Sequence, residues 1–263
     1  MKIAFIGSGN VAWHLAQAFE EAGHSVVEIW SRNKTHSQKL SRKLYDARIY
    51  EDPNFDESEA DIFIMAIADD AMESVMEQLV LPENALLVHT SGSKSLEELN
   101  RWVSIYSDVS IQTGVFYPLQ TFSKQSEVEI AETPLCIEAE DVDNQDFLVE
   151  LAQEISNVVY LVNSKERKIL HVAAVFACNF VNHLWAMSQD ILKENKLEFD
   201  LLKPLIKETL RKAMDAKDIK QVQTGPAKRK DRKTINEHLH FLQDNPARQE
   251  VYEIITKLIV ESE

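Results

Sequence analysis

The first twelve residues, Met-Lys-Ile-Ala-Phe-Ile-Gly-Ser-Gly-Asn-Val-Ala, constrain this chain more than any other stretch. The apolar run from Ile3 to Ile6 reads as a buried strand. It leads directly into Gly7-Ser8-Gly9 and a helical pattern that closes at Gly23. The whole chain has only six glycines, so two of them flanking one residue at a strand end are not filler. Gly7 permits a tight strand-to-helix turn, and Gly9 removes a side chain where a pyrophosphate must approach backbone N–H groups. Asn10 and Val11 open the helix, and Ala12 takes the third position of this G-x-G-x-x-A pattern, where a small residue lets the helix lie close on the strand. The pattern predicts a dinucleotide site.

Residues 1–162 go on to alternate between strand and helix. Strand-like segments fall at 2–6, 25–30, 47–50, 61–66, 85–90, 109–116, 134–138 and 157–162, with helical ones at 10–22, 34–44, 70–79, 95–102 and 143–156. That alternation implies βαβ units. After Val162, Asn163 and Glu166 form a capping-box pattern, and helical periodicity covers 163–195, 199–216, 231–243 and 246–261. The expected fold class is therefore α/β. A Rossmann-like, mostly parallel sheet domain over 1–162 is followed by an all-α domain over 163–263.

Charge divides the chain at the same place. Residues 1–162 carry 28 Asp/Glu against 10 Lys/Arg, whereas residues 163–263 carry 15 against 18. Phosphate backbones are repelled by so acidic a domain, so a nucleic-acid partner is not expected. Apolar runs such as Val172–Cys178 extend about seven residues, far short of a membrane span. The N-terminus shows no secretory pattern, and Cys136 and Cys178 read as free thiols, so a cytoplasmic protein is expected.

Candidate chemistry gathers at predicted strand ends. The second strand ends in Ser31-Arg32-Asn33 with no carboxylate at its tip, and Glu28 comes too early to reach a ribose. An arginine there suits a 2′-phosphate, so NADP is the expected cofactor. Ala66-Ile67-Ala68 would let a ribose and nicotinamide approach the backbone, and His89-Thr90-Ser91 ends the next strand at the same edge. Thr90 and Ser91 are read as cofactor contacts and His89 as structural. Tyr117 with Gln120 suggests a substrate-side wall. In the helix after residue 163, ideal periodicity places Asn182 about 20° and Asn179 about 80° from His171. His171 and Asn179 could then act as proton donor and carbonyl or imine orienter. Metal binding is not expected, because His238 and His240 diverge on a helix and no cysteine pair is present.

Several motifs occur together in order: Gly7-Ser8-Gly9-Asn10-Val11-Ala12, His89-Thr90-Ser91-Gly92, Tyr117-Pro118-Leu119-Gln120-Thr121-Phe122, His171 through Asn179, and Thr224-Gly225-Pro226 with Arg229 and Asp231. Over nearly its whole length the chain resembles uncharacterised bacterial Rossmann-like proteins provisionally assigned as NADP oxidoreductases, which carry a helical C-terminal domain of unknown function. These are similar in plan to pyrroline-5-carboxylate reductase and to deazaflavin-dependent NADP oxidoreductases. The resemblance implies a cleft between the domains and a homodimer built through the helical one. Relatives often have His where this chain has Tyr117. The expected function is hydride transfer between NADP(H) and a small carbonyl or imine substrate, with His171 or Tyr117 supplying the proton. The alternatives are a non-catalytic NADP(H)-binding regulatory module, or an oxidoreductase using a deazaflavin as second coenzyme.

Overall fold

A computed structural model of the chain describes residues 1–262. Strands β1 (Lys2–Ile6), β2 (Ser25–Trp30), β3 (Arg48–Tyr50), β4 (Ile62–Met65), β5 (Leu86–His89), β6 (Gln112–Pro118), β7 (Leu135–Ala139) and β8 (Val159–Leu161) form one sheet. Its order is β3-β2-β1-β4-β5-β6-β7-β8. All neighbours pair in parallel except β6 and β7. The chain direction through the sheet reverses at β1/β4, and the glycine turn leaves β1 at that switch point. In open α/β sheets ligands bind outside the carboxyl ends of the strands at such a place.

The central strands are apolar on both faces, as a sheet covered on both sides requires. On β1, Ile3 and Phe5 face a core with Leu15 and Phe19 of α1 (Asn10–Glu21) and Leu148 and Leu151 of α5 (Val142–Gln153). Ala4 and Ile6 face the opposite core, with Val75 of α3 (Met72–Met76) and with Leu99 and Trp102 of α4 (Leu96–Tyr106). Helix α2 (Lys34–Ser41) follows β2 and contributes Leu40 to the first core. The expected alternation is present throughout, with α3 shorter than its periodicity suggested and α4 longer.

Beyond β8, Asn163 and Glu166 form the expected capping box at the start of α6 (Ser164–Ala174). The helix then passes through a π-helical turn, Val175–Phe180, into α7 (Val181–Glu194). Two compact units divide at Asn179/Phe180, so α6 packs with the sheet although the sequence changes character at Val162. The second unit holds α7, α8 (Lys203–Asp215), α9 (Arg232–Phe241) and α10 (Pro246–Glu261). Asp231 and Asn245 cap α9 and α10 through their side chains, and Arg248 clasps Glu194 with contacts of 2.7 and 2.9 Å. Among the described residues, none of these four helices has a buried side chain.

Candidate functional site

At the end of β1 the backbone of Gly7 takes φ +116°, and its N–H donates to the Trp30 carbonyl at 2.7 Å. A Cβ on Gly7 would stand 2.3 Å from the carbonyl oxygen of Ala66, so glycine is required by conformation and by the close approach of β4's end. Gly9 is different. A Cβ there would meet only the Ala66 oxygen, at 3.8 Å, so nothing in the chain itself demands glycine at this position. Gly9 opens α1 without a side-chain cap. Helix N-terminal amides lacking a cap favour an anion. The Ser8 hydroxyl is buried and has no hydrogen-bond partner among the described residues. An orphaned hydroxyl, uncapped amides and open space at Gly9 all fit a dinucleotide phosphate.

The other expected cofactor residues stand at the same edge. Arg32 is exposed beyond β2 and makes no ion pair among the described residues. Beside it Ser31 is half-buried, while Asn33 is engaged in capping α2 by accepting from the His36 N–H at 3.2 Å. Glu28 is turned inward, accepting hydrogen bonds from the hydroxyls of Tyr50 and Ser58. Ala66 is buried, Ile67 half-buried and Ala68 exposed. Thr90 and Ser91 are buried with their polar groups engaged: Thr90 N–H donates to the Met65 carbonyl at the end of β4, and the Ser91 hydroxyl accepts from the N–H groups of Ser93 and Lys94. His89 is fully buried, and burial followed by the nearby Arg167 guanidinium pushes it down to about 3, so it stays neutral. Its Nδ1 accepts from the Ser91 N–H at 3.1 Å.

Tyr117, at the carboxyl end of β6, meets His171 of α6 with its hydroxyl 3.0 Å from Nδ1 and the rings edge to face. Gly92 makes the meeting possible, because a Cβ on it would stand 2.5 Å from His171 Nδ1 and 2.8 Å from Tyr117 Cζ. Burial pushes the Tyr117 hydroxyl up to about 12, with Cys136 and Asp69 adding to the rise and Arg167 opposing it. The phenol therefore remains protonated at neutral pH. It can accept from Nδ1–H while offering its own proton outward.

One turn before His171, Arg167 is fully buried. Its Nε donates to the Ser91 carbonyl at 3.1 Å, one terminal nitrogen donates to the Lys94 carbonyl at 2.6 Å, and the other pairs with Glu138 of β7. These bonds tie the loop carrying Gly92 to the helix carrying His171. In sequence Arg167 is one of the four charged residues Lys165-Glu166-Arg167-Lys168, and nothing there distinguishes it from a solvent-facing charge. Asn179 lies in the π-helical turn, exposed and without a hydrogen bond to Tyr117 or His171 among the described residues. A π turn inserts about one extra residue, or roughly 100°, so the ideal α-helical angles for Asn179 and Asn182 do not apply past it.

A family model described as NADP oxidoreductase, coenzyme F420-dependent, matches residues 2–92, and one for the domain of unknown function DUF2520 matches residues 133–259. A Bacteroides fragilis protein provisionally named an NADP oxidoreductase is 39% identical, with 99% of this chain and 98% of that one covered at a TM-score of 0.87. An imine reductase from Myxococcus stipitatus in complex with NADP+ is 16% identical, covering 100% and 94% of the two chains at 0.65. A Plasmodium falciparum pyrroline carboxylate reductase with NADP bound is 14% identical, covering 100% and 98% at 0.57. At these lower identities the likeness is one of fold. A search of curated proteins finds no significant match.

Proposed function

We propose that this chain, which belongs to the family of the Bacteroides fragilis protein, is an NADP(H)-dependent oxidoreductase acting on a small imine or carbonyl. The observation that carries this reading is the Tyr117–His171 pair at the same sheet edge as an uncapped glycine turn. The amides of Gly9, Asn10 and Val11 would hold the pyrophosphate, Arg32 and Ser31 the 2′-phosphate, and Ala66–Ala68 the nicotinamide side. Bound NADPH supplies the hydride.

The chain's own contribution is the proton. In its imidazolium form His171 donates Nδ1–H to the Tyr117 oxygen and holds the transferable proton at Nε2. After that proton passes to the substrate nitrogen or oxygen, the ring is neutral and Nδ1–H still holds Tyr117 in place. Solvent returns a proton to Nε2 between turnovers. General acids of this kind contribute about 100- to 10,000-fold.

The reading is tested by following NADPH oxidation across a panel of cyclic imines and keto acids, with and without an added deazaflavin. Turnover of an imine or ketone without the deazaflavin supports it. Turnover only with the deazaflavin favours the chemistry in the name of the matched N-terminal family. Tight NADPH binding without any turnover favours a binding module.

A further inference from the structure

After β6 the chain does not turn straight back to β7; it first runs across the start of α1. Three hydrogen bonds hold this strap: Asn10 Nδ2 donates to the Phe122 carbonyl at 2.9 Å, His14 Nε2 donates to the Ser123 carbonyl at 2.9 Å, and Lys124 Nζ donates to the Ser8 carbonyl at 2.8 Å. The His14 ring also packs on Phe122, with centroids 5.3 Å apart. Lys124 thus reaches the glycine turn from a distant part of the sequence.

The surroundings of that ammonium are unusual for so acidic a domain. Lys124 is half-buried, stands 5.3 Å over the Trp13 ring, and has no carboxylate partner among the described residues. Burial, and then the Lys39 ammonium on α2, hold it below the usual lysine range. The Lys124 ammonium on the Ser8 carbonyl, the uncapped helix amides and the orphaned Ser8 hydroxyl together make a donor-rich, positively charged place suited to an anion. A dinucleotide with several phosphate charges must also bind against 28 carboxylates in residues 1–162, which makes a local cation valuable.

We propose that Lys124 is a ligand for a coenzyme phosphate, delivered to the glycine turn by the strap after β6. The proposal rests on the NADP(H) reading above. Coenzyme dissociation constants are measured by fluorescence for NADPH and NADH, with the wild type and the Lys124→Gln, Lys124→Arg and His14→Ala variants, over a salt series. Lys124→Gln is expected to weaken binding about tenfold and flatten the salt dependence, as loss of one charge-assisted contact does. Lys124→Arg is expected to restore most of the affinity. Equal weakening for both coenzymes assigns the contact to the diphosphate, and weakening for NADPH alone assigns it to the 2′-phosphate.

Binding of both coenzymes by Lys124→Gln within about twofold of wild type would overturn the proposal. So would a loss in His14→Ala as large as that in Lys124→Gln with no rescue by arginine, since strap position and not charge would then be responsible. Wild-type protein that binds neither coenzyme removes the NADP(H) reading and this proposal together, an outcome distinct from the other two.

Discussion

The Tyr117–His171 hydrogen bond depends on a side chain that is not there. Replacing Gly92 with alanine would drive a methyl group to within 2.5 Å of His171 Nδ1, so one ring must move. Displacement of a catalytic group by about 1 Å can cost about 100-fold in rate, and Gly92→Ala is expected to lose activity on that scale while keeping its circular dichroism spectrum. Retained activity would separate the pair from the chemistry. His89 gives a second expectation at this scale. Its folded-state value near 3 lies below an unfolded histidine's value of about 6.5. Its contribution is therefore intact above the unfolded value and is lost as pH falls from there towards about 3, because the unfolded chain takes up a proton that the folded one refuses. Urea unfolding across this window should show stability falling with acid, less steeply in His89→Asn; identical slopes would contradict the assignment. Gly7 was legible from sequence because its conformation is a local property of the turn. Gly92 was not, since the residues that crowd it come from β6 and α6, distant along the chain.

Among the elements, the sheet and its helices were readable because an apolar strand alternating with an amphipathic helix leaves a periodic trace. The π turn at Val175–Phe180 leaves none, so angles projected from His171 at an ideal helical period misplace the residues after it. The strap over α1 lacked a signal for a related reason: its anchors are backbone carbonyls, which carry no residue identity. The helical unit leaves large apolar side chains exposed. Leu201, Leu205, Leu210, Met214, Ile254 and Leu258 are exposed, and no helix in it buries a side chain among the described residues. Helices of this length do not persist in water on propensity alone. We propose that a second copy of the chain covers these residues. Light scattering should then give twice the 30.1 kDa chain mass, and Leu205→Glu with Met214→Glu should shift it to one copy. The continuous helix Ser164–Glu194 is also long and apolar enough, by length and composition, to cross a membrane. Partition into detergent micelles without self-association would favour lipid over a second copy.

For the molecule as a whole, the proposed function joins a coenzyme site at the β1/β4 switch point to His171 of α6, a proton donor held by Tyr117 at the end of β6. Arg32 tests the first half, because an exposed guanidinium beyond β2 should act only on the 2′-phosphate. Arg32→Ala is expected to raise the dissociation constant for NADPH about tenfold and leave that for NADH unchanged; equal effects would move the 2′-phosphate elsewhere. The cofactor was more legible than the reaction for a physical reason. The glycine turn is contiguous in sequence, whereas Gly92, Tyr117 and His171, which would form the proton-donor site, are brought together only by the folded sheet. The most direct measurement sets kcat for NADPH-dependent imine or ketone reduction beside the NADPH dissociation constant, for wild type, His171→Ala and Tyr117→Phe. His171→Ala is expected to lower kcat about 100-fold or more and Tyr117→Phe by less, with NADPH binding within about threefold of wild type in both. Wild-type kcat in His171→Ala would contradict the proposed function.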